Sequence, residues 1–285
     1  MSIPVVFFHI GYQKYLELCI RQTSKNNKVI LIGDSSNKFL GDIDNVIHYS
    51  VETLECNMFK QFMGAYKHMH TGGVQFEIFC FVRWLAVRNL VKKLGLKTIF
   101  YTDSDNLIYS NLEKIYEDLG APKLGIAVPQ DQPPYRYVAT GAVSYWNIEI
   151  LDNFCQYILD FYTDSQKFKI LEEKWDWHQQ FGMAGGICDM TILWHFAQEQ
   201  EHKVITKVSK NNSTFDLNIN TAINYYYSID EYETKDGVKN IFFVDDRPYC
   251  KNIITNENIL FHNLQFQGNS KHLVEKYVRG IDISA

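Results

Sequence analysis

The sequence predicts an α/β fold, a mostly parallel, Rossmann-like central sheet flanked by helices, across its 285 residues. Three observations carry that expectation. Short apolar runs alternate with segments of helical period through residues 1–109, in the order β-α-β-β-α-β. A long helical segment stops at Gly95 and is followed at once by a β-branched and aromatic run, Thr98–Thr102. That run delivers Asp103-Ser104-Asp105, and open α/β sheets bind their ligands at the carboxyl ends of strands.

Each element follows from its residues. Residues 3–9 form an apolar run closed by Gly11, and 12–22 have helical spacing. A second strand, 28–32, is closed by Gly33-Asp34, and 46–49 supply a third. The clearest helix covers 76–94, with Gly95 as its stop signal. Beyond the Asp pair, strands are expected over 124–128 and 142–146, and helices over 148–162 and 190–200. A last strand from Ile259 runs into a turn at Gly268. There is no internal repeat and no low-complexity linker, so a single domain over 1–285 is expected.

Composition narrows the class of function. Hydrophobic residues make up 46% and aromatics 15%, which describes a folded globule and suits a protein that handles sugars or bases. The net charge is −5 with no basic run, so nucleic acid is not an expected partner. Six scattered cysteines without a C-x-x-C pair point to reduced cytosolic thiols. The start, Met1-Ser2-Ile3-Pro4, lacks a basic n-region and reads as a first strand; no stretch approaches the ~18–20 apolar residues of a membrane span. A cytoplasmic protein is expected. Without a secretory signal, the sequons at Asn211 and Asn212 are read as fortuitous.

Three clusters carry possible chemistry. Asp103 and Asp105, at i and i+2 on an extended chain, point to one side and can share a hard divalent cation and its phosphate ligand; the alternative is a surface turn. Arg83 lies on the apolar stripe marked by Phe79, Ala86 and Leu90, so it either snorkels to a rim or has a buried anionic partner, while Arg88 is expected in solvent. In Gly185-Gly186-Ile187-Cys188-Asp189, paired glycines permit close approach of a ligand. Asp189 is then either an N-cap or a carboxylate aimed into a cleft as a general base. Upstream, Trp175, Trp177 and His178 read as an aromatic loop, either able to stack on a sugar or simply packed. At the C-terminal end, Gly268 frees backbone N–H groups and Lys271 adds a mobile charge, which suits a diphosphate; the alternative is an ordinary Gly-Asn-Ser turn.

Jointly, the stretches from Phe76-Glu77 to Arg83-Trp84, Tyr101-Thr102-Asp103-Ser104-Asp105, Gly141-Ala142-Val143-Ser144-Tyr145-Trp146, Gly185-Gly186 to Asp189-Met190-Thr191, and Gln265-Phe266-Gln267-Gly268 to Lys271 resemble one pattern. It is that of GT-A-type, nucleotide-sugar-dependent glycosyltransferases with a D-x-D motif, of the bacterial or viral surface-glycan type. The resemblance implies a nucleotide-binding half over 1–109, an acceptor-binding half over 110–255 and a donor- and metal-closing segment over 256–285. It implies that Asp105 ligates Mn2+ or Mg2+ directly, and that Asp103 contacts the ribose or reaches the metal through water. Lys271 would hold the diphosphate, with Arg83, Ser104 and Gly268 also on the donor. His9, Gly11, Tyr12 and Asp34 would frame the nucleotide, with UDP the default by analogy. The acceptor would meet Trp175, Trp177, His178 and Gly186, and Asp189 would deprotonate or orient hydroxyls.

One departure from the pattern concerns the metal. Related chains often carry H-F-x-G-x-x-K in the final strand, but Gln265 stands in the His position here and the nearest histidine is His262. Three residues apart on a strand, the two face opposite sides, so Gln265 is favoured by position and His262 by intrinsic affinity. Two other readings stay open: a haloacid-dehalogenase-like phosphatase with Asp103 as nucleophile, and a non-catalytic glycan-binding module. Leu107 stands where the phosphatase pattern has Thr.

Overall fold

The computed structural model describes residues 3–129, 132–224 and 229–281; Met1 and Ser2 of the expected first strand lie outside it. The centre is a seven-stranded sheet built from β1 (Val5–Phe8), β2 (Val29–Gly33), β3 (Val46–Ser50), β4 (Thr98–Thr102), β6 (Leu124–Ala127), β7 (Thr140–Asn147) and β8 (Lys203–Val204), with β5 (Asn106–Ile108) leaving it after β4. The strand order is β3-β2-β1-β4-β7-β6-β8. All neighbours run parallel except β7, which is antiparallel to both β4 and β6. The expected mostly parallel sheet is present.

The period of two divides the core. Val6, Ile30, Ile32, Ile99 and Tyr101 face α3 (Val74–Lys93) and α5 (Ile148–Thr163), whereas Val5, Phe7, Val29, Leu31 and Phe100 face α1 (Lys14–Ser24) and the C-terminal segment. Burying both faces explains why these strands read as continuous apolar runs. α3 ends where Gly95 was read as a stop. Gly95 takes φ +63°, its N–H bonds to Lys92 O, and Leu96 N–H bonds back to Val91 O at 3.1 Å. That left-handed residue closes the helix by satisfying carbonyls the helix leaves free.

Several expectations need correction. The aromatic segment read as a loop is a helix, α6 (Ser165–Gln180), capped by Asp164, whose carboxylate accepts from the N–H groups of Gln166 and Lys167. Phe168, Leu171, Trp175 and His178 have helical spacing that the clustered tryptophans obscured. α2 (Asn57–Ala65) was not expected either, whereas α4 (Leu112–Asp118) and α7 (Asp189–Glu199) complete the helices that bear on the site. Phe79 is exposed, so it does not mark the buried stripe of α3. Arg88 is paired with Asp152 at 2.6 Å. All six cysteines are free. Among the described residues, no helix is long and apolar enough to cross a membrane.

Candidate active site

The site grows from the carboxyl ends of β1, β2 and β4. His9 follows β1, and its Nδ1 lies 2.9 Å from Ser104 Oγ, just past β4. Asp34, after β2, accepts from the N–H of Gly11 at 2.8 Å, tying the two strand-end loops together. Burial lowers the His9 pKa, with Asp34 opposing and Lys271 adding to the shift. The neutral imidazole is the form these surroundings favour. Tyr12 takes other partners, donating its hydroxyl to Glu17 at 2.8 Å and resting edge-on against Phe39.

Asp103-Ser104-Asp105 is a turn between β4 and β5, not an extended stretch, yet its second carboxylate is buried. The two Asp side chains take different partners. Asp105 Oδ2 accepts from Lys271 Nζ at 2.8 Å. Burial raises the Asp105 pKa and the Asp103 charge adds to it, while Lys271 and the Gln265 side chain act in the opposite direction. Lys271 is carried by the 3₁₀ turn Gly268–Leu273, which the strand Asn263–Gln265 brings to the site by pairing antiparallel with β5. Its ammonium is held charged by Asp105 against the effect of burial. It also lies over the ring of Tyr15, a site residue that sequence reading passed over.

Two buried oxygens here have no hydrogen-bond partner: Asp105 Oδ1 and Gln265 Oε1. Buried acceptors are costly unless something satisfies them. A carboxylate and an amide oxygen are hard ligands, and with Asp103 nearby they suit Mn2+ or Mg2+. Among the described residues, no group of three or more His, Cys, Asp or Glu has the placement of a metal centre; a site of two carboxylates and an amide is of another kind. Gln265 is itself anchored from below. Its backbone N–H donates to Asp216 Oδ2 at 2.9 Å, and Asp216 is paired with Lys239 at 2.8 Å, both fully buried. No local pattern marks that pair, because its members are 23 residues apart.

His262 is turned elsewhere. Its Nδ1 contacts Ser110 Oγ at 2.9 Å, its ring packs on Phe215, and burial pushes its pKa down to about 4. It lines a separate cavity of about 700 Å3 with Arg247 and Arg279. The strand break at His262 gives it a different surrounding from Gln265.

Arg83 has the anionic partners its position called for. One guanidinium nitrogen donates to Asp103 Oδ1 at 2.8 Å, the other to Asp189 Oδ2 at 2.7 Å. Trp84 Nε1 donates to the same Asp189 oxygen at 2.7 Å. Burial opposes the Arg83 charge, but Asp189, Tyr101 and Asp103 hold it more firmly protonated than usual. Asp189 is the first residue of α7 and its side chain caps nothing; its strong bonds run to α3. Arg83 and Trp84 both donate to Asp189 Oδ2, so that oxygen is already occupied. The same guanidinium occupies Asp103 Oδ1.

Of the four expected acceptor residues, two reach another cavity, of about 530 Å3, next to Asp189, and Trp175 and Trp177 are not in its lining. His178 and Gly186 line it, together with His70 and Lys174, neither of which stood out in the sequence. His178 contacts Tyr135 O at 3.1 Å. Trp177 stacks on Tyr135, and Trp175 packs against the core and Gly186. Gly186 has φ +143°, and a Cβ there would strike Met69 O at 2.3 Å, so only glycine lets the segment before α3 close on this loop. Glu77, in the first turn of α3, was also missed. Its Oε1 lies 3.0 Å from His70 Nδ1, its Oε2 is buried without a partner, and burial with the Asp189 charge raises its pKa to about 7.

No protein-family model matches the chain, and no curated protein matches it. Among solved structures it is similar to mouse xyloside xylosyltransferase 1 in its apo form, at 13% identity, covering 72% of this chain and 85% of that one with a TM-score of 0.50. It is also similar to the glycosyltransferase GlyE of Streptococcus pneumoniae TIGR4, at 16% identity over 74% of this chain and 46% of that one, TM-score 0.40. A further likeness is to HddC from Yersinia pseudotuberculosis, at 11% identity over 54% and 80% of the two chains, TM-score 0.32. The first of these likenesses bears on the sheet and its flanking helices: the chain has a mixed α/β fold of the GT-A type.

Proposed function

We propose that this protein is a metal-dependent glycosyltransferase that moves a sugar from a nucleoside-diphosphate sugar, with UDP the first candidate, to a glycan hydroxyl. The observation that carries the reading is the pair of orphaned buried oxygens, Asp105 Oδ1 and Gln265 Oε1, beside the Lys271 ammonium at the carboxyl ends of parallel strands. When bound, Mn2+ or Mg2+ would supply charge stabilisation to the departing diphosphate. Asp105 and Gln265 would hold the ion, with Asp103 adjacent.

The chain's own groups account for the rest. Lys271 leaves Asp105 for the diphosphate and offsets the negative charge that develops on its oxygens. His9, Gly11, Asp34 and Ser104 frame the nucleoside at the strand ends. Arg83 locks Asp189, so Asp189 orients a sugar hydroxyl as an acceptor of hydrogen bonds, with the cavity beyond it left for the acceptor.

The test compares UDP with uridine by calorimetry with Mn2+ present. Lys271→Ala is expected to weaken UDP binding by about tenfold or more while leaving uridine binding unchanged, since a charge-assisted bond is lost only from the diphosphate. Equal losses for both ligands, or UDP binding indifferent to Mn2+, would contradict the proposal.

A further inference from the structure

The cavity beside Asp189 has an unusual charge balance. Its described lining holds four basic side chains, His70, Arg136, Lys174 and His178, and no carboxylate; the Cys188 thiol beside them is pushed up to about 11 by burial. Lys174 is 2% exposed, yet its ammonium has no carboxylate among its contacts. It donates to Tyr137 O at 2.8 Å and to Thr191 Oγ1 at 3.0 Å, and sits over the Tyr137 ring. A buried cation normally has an anionic partner, because neutral dipoles replace lost hydration only in part.

The strain registers in the protonation equilibria. Burial lowers the Lys174 pKa to about 8, with Cys188 opposing the shift and Arg136 adding to it. His70 is lowered by burial and then by His68, His178 and Lys174. Glu77, the carboxylate in contact with His70, has its own pKa raised to about 7, so it is only a partial counter-charge at neutral pH. Cys188 and Met190, on either side of Asp189, also line the cavity, which places it next to the proposed site of transfer.

We propose that this cavity binds the acceptor through a negatively charged group on its sugar, a carboxylate, phosphate or sulfate, received between Arg136 and Lys174. The inference rests on the glycosyltransferase reading and adds a substrate class to it. An anion would restore the missing counter-charge, and a neutral sugar would leave it missing.

The test measures the affinities of phenyl β-glucuronide and phenyl β-glucoside by ligand-observed NMR, for the wild type, Arg136→Gln and Lys174→Met. The glucuronide is expected to bind about tenfold tighter in the wild type, as one or two charge-assisted bonds allow, and to lose that preference in both variants. Arg136 is exposed, so its replacement keeps the fold and decides the matter if Lys174→Met does not fold. Equal affinity in the wild type, or an unchanged preference in Arg136→Gln, would overturn the proposal. Inorganic phosphate binding that leaves the two glycosides indistinguishable would mark a free-anion site and overturn it too. The comparison uses neither nucleotide nor metal, so a failure of the donor reading would show separately as absent Mn2+-dependent UDP binding.

Discussion

Asp105→Asn is expected to lower sugar transfer on the order of 10³-fold and to remove the metal-dependent part of nucleotide binding. The substitution keeps shape and volume but replaces an anionic ligand by a neutral amide. It acts on a carboxylate that is 8% exposed, has one oxygen without a partner, and has the other on Lys271. The fold should persist, because the residue sits in a turn past the end of β4 and removing the charge also removes the cost of burying it. Steady-state turnover with and without EDTA, alongside a urea melt, checks both halves. Wild-type turnover in the variant would end the metal role assigned to Asp105.

Arg83→Met should be the most destabilising single change in the site, by about 3–5 kcal/mol. Methionine fills much of the same space, but Asp189, 3% exposed, would be left with only Trp84 as donor. Asp103 would lose its ion pair as well. Adding Asp189→Asn should recover a large part of the loss, since the amide removes the unpaired charge. Urea denaturation of the two single variants and the double variant gives the coupling directly. Additive losses would mean that the Arg83–Asp189 contact carries little energy.

The strands and the long helix were legible because short continuous apolar runs alternate with longer helical segments and because Gly95 marks where the helix stops. Arg83 was legible in part: a guanidinium beside Ala86 and Leu90 either snorkels to a rim or meets an anion, and the structure supplies the anion. The identity of its second anion was not, since Asp189 lies 106 residues away and reads locally as a cap. Gln265 could be suspected from its place before Phe266 and Gly268, but its orphaned oxygen is a property of the packed strand pair. His262 offered a better metal ligand by type, and only the strand break that turns it towards Ser110 removes it. α6 was hidden by its own tryptophans, which suggested sugar stacking more loudly than the helical spacing of Phe168, Leu171, Trp175 and His178. The basic cavity was invisible for a different reason, as Lys174 and Arg136 are ordinary surface residue types until burial and proximity are known.

The most direct test of the account is anomalous diffraction from crystals grown with Mn2+ and UDP. The account predicts a manganese peak within coordination distance of Asp105 and Gln265 Oε1, with Lys271 moved from Asp105 onto the diphosphate and His262 still against Ser110. A manganese peak on His262, or nucleotide bound at the strand ends with no metal between Asp105 and Gln265, would contradict it.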